Sequence, residues 1–214
     1  MKKTVFTIVL CLLMLGCVTT SMLKLDPLTL DGQKKSTKDG FKTVTSEKNV
    51  HVTIRSATDV YTSEDRPKIL VSVYSTAGAF TFSPKNIQVF VDGNPHHVLT
   101  YDELVADVKE KEKAAKEKAE KVKNSQYMGG SNASVANNQY TATLNKIEKE
   151  TIDALKELDA NALKSIRATP GKEFSGQVTI EKIPDPSQKH DIKMIVTVNK
   201  ETHEFLLNQV VVQQ

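Results

Sequence analysis

Two spacings of apolar residues divide the chain. In Val50-His51-Val52-Thr53-Ile54 every second residue is apolar, the period of a strand with one face buried. Ile69 to Tyr74, Phe80-Thr81-Phe82, Ile87 to Val91 and the short His97-Val98-Leu99 follow as further strands. Turn residues separate them: Ser63 to Pro67, Ser83-Pro84-Lys85-Asn86, and Asp92-Gly93, the last suited to a type I′ hairpin because both residues tolerate positive φ. After Thr169-Pro170-Gly171 a second set begins: Phe174 to Ile180, Asp191 to Val198, then the tight turn Asn199-Lys200 and Thr202 to Leu207, with a continuation towards Val212. About seven or eight short strands with regular turns predict an antiparallel sandwich or barrel.

Between the two sets the spacing changes to three and four. Thr100-Tyr101-Asp102-Glu103 is a capping box, in which the threonine hydroxyl accepts from a first-turn amide and the glutamate reaches back. Residues 102–124 contain no Gly or Pro and carry seven lysines and seven acids. Asp107–Lys111, Glu112–Lys116 and Glu117–Lys121 stand at i,i+4 with the acid first, an order worth about 0.2–0.5 kcal/mol per pair. The apolar stripe of Leu104, Val108, Ala115, Ala119 and Val122 is thin. Residues 125–140, rich in Gly, Asn, Ser and Ala, predict a polar loop. A second helix over about 142–167 places Leu144, Ile147, Thr151, Leu155, Leu158, Ala162 and Ile166 in a heptad-like seam, widened by Ile152 and Leu163, as in a coiled coil. Two such helices would form an antiparallel hairpin projecting about 35 Å at 1.5 Å per residue.

Neither strand set is large enough to bury a two-sheet core alone. The expectation is therefore one mainly β domain with an α insert: the first part of a β-sandwich over 41–101, a helical hairpin over 102–168, and the second part of the sandwich over 169–214.

The amino terminus has a different character. Lys2 and Lys3 precede an apolar run from Val5 to Leu15, the length of a signal-peptide core and too short for about 30 Å of hydrocarbon. It ends in Met14-Leu15-Gly16-Cys17, which resembles the lipobox of bacterial lipoproteins: Leu, a small residue, Gly or Ala, then Cys. Gly16 and Cys17 match; Leu15 is bulkier than the pattern's small residue, and Met14 stands where Leu is commonest. The resemblance implies a signal peptide over 1–16, cleavage between Gly16 and Cys17, a diacylglyceryl group on the Cys17 sulfur, and often an N-acyl chain such as palmitate. Two or three acyl chains, each CH₂ contributing about 0.8 kcal/mol, make a stable membrane anchor. Val18 rather than Asp after the cysteine favours the outer over the inner membrane of a two-membrane bacterium, with the domain in the periplasm or at the surface. Residues 17–40, Thr/Ser/Lys-rich and punctuated by Pro27, Gly32 and Gly40, are expected as a flexible tether; Leu23-x-Leu25 and Leu28-x-Leu30 leave room for a short edge strand.

Composition changes this picture in two places. The formal charge of +3 leaves with the leader, since Lys2 and Lys3 are uncompensated there; 27 basic and 26 acidic residues remain, interleaved along the chain. Nucleic-acid binding, which needs clustered uncompensated Lys or Arg, is not expected. Of the two cysteines, Cys11 leaves with the leader and Cys17 becomes a lipid attachment point, so neither a disulfide nor a thiol nucleophile is expected.

Catalytic and cofactor motifs are absent from the sequence. His51, His96, His97, His190 and His203 fall in no metal-ligand spacing, and adjacent His96 and His97 would point to opposite faces of a strand. No Gly-x-Ser-x-Gly occurs, and Gly129-Gly130 lacks the lysine of a phosphate loop. No metal or cofactor is expected.

The order of elements also resembles the immunoglobulin-like domains found in many bacterial lipoproteins. Ile69 to Tyr74, Ile87 to Asp92 with Gly93, and Pro170-Gly171-Lys172-Glu173 before Gly176-Gln177-Val178 carry this likeness, over roughly 45–100 and 170–208. Together the two resemblances imply a non-enzymatic, membrane-anchored envelope lipoprotein, a structural or protein-interaction module engaging another envelope protein through its hairpin or a sheet edge. The alternatives are a lipoprotein holding a small apolar or glycan ligand between sandwich and helices, and an envelope enzyme built around His203 and Glu204.

Overall fold

The computed structural model describes residues 21–76, 78–129 and 132–212; the lipobox with Gly16 and Cys17 lies outside them. The strands are β1 (Met22–Leu28), β2 (Gln33–Lys38), β3 (Phe41–Glu47), β4 (Val50–Ser56), β5 (Tyr61–Thr62), β6 (Lys68–Ser75), β7 (Phe80–Phe82), β8 (Ile87–Val91), β9 (Asn94–His96) and β10 (Val98–Leu99). Helices α1 (Tyr101–Met128) and α2 (Ala133–Asn161) follow, then β11 (Ile166–Ala168), β12 (Glu173–Ile180), β13 (His190–Val198) and β14 (Glu201–Val212).

Two six-stranded antiparallel sheets share one core. The first runs β5-β1-β14-β13-β8-β9 and the second β10-β12-β6-β4-β3-β2, with β7 and β11 as a separate pair. The alternation seen in the sequence becomes burial: Ile192, Met194, Val196 and Val198 of β13 face Val52 and Ile54 of β4 and Val71 and Val73 of β6 within a single apolar cluster. Phe82, Phe205 and Leu207 fill its centre. At about 25 cal/mol per Å² of apolar surface removed from water, this cluster is the main source of stability.

Three hairpins use the same turn chemistry. Asp39-Gly40, Asp92-Gly93 and Asn199-Lys200 all have positive φ at both positions and connect strands in two-residue register, the type I′ geometry that matches strand twist. The last two are predicted as turns. Asp39-Gly40 carries the same signal, yet lies in the stretch expected to be a tether.

That expectation is corrected by the structure for residues 22–38. β1 lies inside its sheet, between β5 and β14, with register from Met22↔Val212 to Leu28↔Leu206. Leu23 and Leu25 are 1% exposed, and Lys24–Asp59 and Lys42–Asp26 ion pairs tie down the polar residues between them. β2 is a true edge strand whose Lys34, Lys35 and Lys38 are exposed, the charge pattern that keeps an edge from pairing with another chain. The described residues thus form fourteen strands rather than seven or eight.

The helices also differ from their predicted limits. α1 continues to Met128 and α2 begins at Ala133, so most of the expected loop over 125–140 is helical. Ala136 is 1% exposed between the helices, and Gln126 donates to Gln139 at 3.1 Å; packing overrides the weak helix propensity of Asn, Ser and Gly. At its other end α2 stops at Asn161. Leu163 leaves the helical seam and is buried in the core, its amide donating to the Gln177 carbonyl at 2.9 Å, and Ile166 joins β11 beside Phe82. Gly176 permits this close approach: a Cβ there would sit 2.7 Å from the Leu163 Cα.

Candidate interaction surface

The hairpin leaves the sandwich between β10 and β12, and its base is fixed on both sides. Glu103 Oε2 accepts from the Thr100 amide at 2.7 Å and its hydroxyl at 2.8 Å, while the Glu103 amide donates to Thr100 Oγ1. With His97 Nε2 at 3.0 Å from the other carboxylate oxygen, these bonds hold the Glu103 carboxyl down at about 2. Arg66, in the turn between β5 and β6, grips Asp107 with two bonds of 3.0 Å, a fork geometry. Lys68 lies 3.4 Å from Glu157 on α2. Tyr101, Asp159 and Lys164 form a third tie, with the lysine 4.6 Å above the tyrosine ring.

Beyond the base the two helices have only each other. α1 and α2 pack side by side, and Leu104, Val108, Ala115 and Ala119 of α1 with Leu144, Ile147, Thr151, Leu155 and Leu158 of α2, all in the predicted seam, are buried or half-buried. Only Leu104 and Ala136 of the helical residues are buried; the rest of the seam is half-buried or less. Val122, Met128, Val135 and Ile152 are 52%, 93%, 50% and 44% exposed. Ile152 therefore does not widen the seam as predicted.

One face of the hairpin has two different fates along its length. Near the base, Leu104, Val108, Ala154 and Leu158 meet Val60, Tyr61 and Arg66 across a cleft of about 530 Å³. Further out, Ala115, Ala119, Val122, Ala142, Thr143 and Ile147 line an open groove of about 620 Å³, rimmed by Lys118 and Lys123. The other face is a shallow polar depression with Lys109, Glu112, Lys113, Lys116, Glu117 and Glu148.

Charge is segregated lengthwise as well. The outer half, 113–147, holds six lysines and two acids, with no Asp or Glu from 121 to 147. The inner half, 101–112 with 148–161, holds ten acids and four lysines. Over the whole of α1 the signs cancel, as the sequence indicates, but five of the six outer lysines stand on its outer half, and outer α2 adds Lys146 and no acid. Lys123 lies 4.5 Å above the Tyr140 ring and Tyr127 donates to Asn137. Lys118 and Lys121 make no ion pair among the described residues.

The histidines are dispersed. His96 Nε2 lies 3.0 Å from the Glu181 carbonyl, while His97, between β9 and β10, reaches Glu103, so the adjacent pair has different partners. His190 joins Asp92 at 2.7 Å and the Asp185 carbonyl at 3.0 Å; burial pushes its pKa down, but these partners outweigh it and raise it. His203 and Glu204 are not brought together. Glu204 points outward to Lys193 at 2.8 Å, whereas His203 is buried, 3.0 Å from Ser46 Oγ. Burial, aided by Lys48, pushes the His203 pKa down to about 4 against the opposing pull of Glu201. None of the clefts above is lined by His203. Among the described residues no group of three or more His, Cys, Asp or Glu is placed to hold a metal, and no helix is long and apolar enough to cross a membrane.

Comparison with protein-family models, with characterised proteins and with solved structures finds no match for this chain. The candidate surface therefore rests on its geometry.

Proposed function

We propose that the chain is a non-enzymatic, lipid-anchored protein of the bacterial envelope, held by Cys17, in which an immunoglobulin-like sandwich presents the helical hairpin to another envelope protein. The single observation carrying the interaction role is the unpartnered seam: a two-helix projection that buries only Leu104 and Ala136 and leaves Val122, Met128, Val135 and Ile152 exposed. Amphipathic helices gain most of their stability from burying an apolar face, and here that face is incomplete. Between the two surfaces considered from sequence, the hairpin is favoured over a sheet edge, because the lysine-bearing β2 is built to resist pairing.

Strand order supports the immunoglobulin-like assignment. β10-β12-β6-β4 corresponds to the order D-E-B-A, and β9-β8-β13-β14 to C′-C-F-G. The helical hairpin then occupies the D–E connection. The extra β2-β3 hairpin beyond A, and β1 paired antiparallel to G, are departures from the simple pattern.

Anchoring is tested by mass spectrometry of the mature amino terminus with a Cys17→Ala control; an unmodified Cys17 would overturn it. For the interaction role, residues 102–160 are replaced by a short linker, keeping Leu163 and β11. Recovery of one envelope protein by the wild type and not by the folded deletion supports the role, and equal recovery sinks it.

A second reading, small-ligand binding, draws support from the cleft of about 530 Å³ at the hairpin base, where Leu104, Val108, Ala154 and Leu158 are ringed by the ion pairs Arg66–Asp107, Lys111–Asp107, Lys68–Glu157 and Lys182–Glu64. Extra electron density or a co-purifying molecule in that cleft would favour it.

A further inference from the structure

We infer that the outer groove of the hairpin is the docking site for one acidic amphipathic helix of a different protein, which completes a three-helix bundle. The inference rests on the interaction role proposed above and names the chemistry of the partner.

Three observations select this occupant. The groove is long and concave, following α1 from Ala115 to Gln126 and α2 from Gln139 to Ile147, about three turns of helix at 1.5 Å per residue. Its floor is made of small or slender side chains, Ala115, Ala119, Ala142 and Thr143, with Val122 and Ile147 as the larger apolar groups. Small residues let a third helix approach closely, and its ridge can seat between two others. Finally, Lys118 and Lys123 stand at the groove, which no acidic residue lines, and from 121 to 147 the chain has no Asp or Glu. A helix with apolar residues at three- and four-residue spacing and Asp or Glu on its flanks answers both floor and rim; such complementarity steers encounter and sets partner choice.

The same observations disfavour the other occupants. A second copy docked through the same groove would set two lysine-bearing patches with no acidic lining residue against each other. A membrane surface would need a convex apolar face, whereas these apolar residues line a concavity. Continuity favours a protein occupant as well, since at its base this face looks across its cleft to Val60, Tyr61 and Arg66 of the sandwich.

The test is site-specific photo-cross-linking in the full chain, expressed in its own envelope. The photoreactive residue replaces Val122, in the groove and already half exposed, or Ile152, which does not line it. Expected from position 122 is one adduct whose cross-linked peptide, sequenced by mass spectrometry, has apolar residues at three- and four-residue spacing and acidic flanks. Its yield should fall at least tenfold in Lys118→Glu/Lys123→Glu, which reverses the two groove lysines and whose folding is checked by circular dichroism. An adduct to a second copy, to lipid or to a basic segment overturns the inference, as does an acidic adduct indifferent to the charge reversal. Adducts at 152 but not at 122 overturn the groove while leaving the hairpin as an interaction element. No adduct at either position removes both the inference and the interaction role beneath it.

Discussion

In the sandwich, β13 alone takes Ile192, Met194, Val196 and Val198 to 1% exposure or less; in the hairpin, helices of 28 and 29 residues together bury only Leu104 and Ala136. Both elements are amphipathic by sequence. The difference is the number of layers. Each sheet has a second sheet across the core, so an inward side chain is covered on all sides. Each helix has one neighbour, so a seam residue meets one partner and then solvent. The sandwich thus covers its apolar face on both sides, whereas the hairpin leaves Val122, Met128, Val135 and Ile152 exposed.

The largest expected effect follows from removing core volume. Phe205→Ala should cost about 3–5 kcal/mol and unfold the domain cooperatively in urea, whereas Ile147→Ala in the half-buried seam should cost about 1 kcal/mol. Equal losses from the two would abolish the contrast. Next is acidification. His203 has its pKa depressed to about 4 from 6.5, so between those values the unfolded chain binds the proton more readily. Stability is fully present above pH 6.5 and falls as pH drops towards 4, and denaturation midpoints should show this decline for the wild type and much less of it for His203→Gln. The Glu103 cap, whose carboxyl is held at about 2 rather than 4.5, contributes fully above pH 4.5 and is lost progressively as pH falls from there towards 2, largely below the His203 window.

Where the two regions join, Gly176→Ala should cost about 1–3 kcal/mol by forcing Leu163 off β12, read as a lowered melting temperature. Thr100→Ala, which breaks the capping box, should cost about 1 kcal/mol; hydrogen exchange should rise first in the initial turn of α1 and leave β13 protected. Smallest is Val122→Ala, within about 0.5 kcal/mol on stability, since the side chain is already half exposed. A larger loss from Val122→Ala would mean the groove is covered within the chain itself.

Much of the sandwich is legible from alternation and turn chemistry. β4, β6, β8, β12, β13 and β14, and the hairpins at Asp92-Gly93 and Asn199-Lys200, lie where the sequence predicts them. β1 is foreshadowed only as a short edge strand at Leu23-x-Leu25 and not as the inner strand it is, and β2 escapes because Asp39-Gly40 falls among tether-like residues. On the hairpin, the cap and the central seam are readable, while its tip is not: residues 125–128 and 133–140 have a loop's composition and are helical, with Ala136 buried and Tyr127–Asn137 and Gln126–Gln139 bonded across. The acid-free stretch from 121 to 147 is present in the sequence, but its meaning depends on two helices folding back on each other.

The sequence by itself determined the period of each segment, its turns and caps, and the lipobox expectation at Cys17, because these depend on residues within a few positions of one another. Tertiary structure alone decided that β1 sits inside a sheet, that Leu163 packs on Gly176, and that Arg66 grips Asp107. It also set one end of a groove under the sandwich and left the other open with its lysines. Those outcomes join residues far apart in the chain, where local propensity is silent and the order of strands and helices determines which side chains meet.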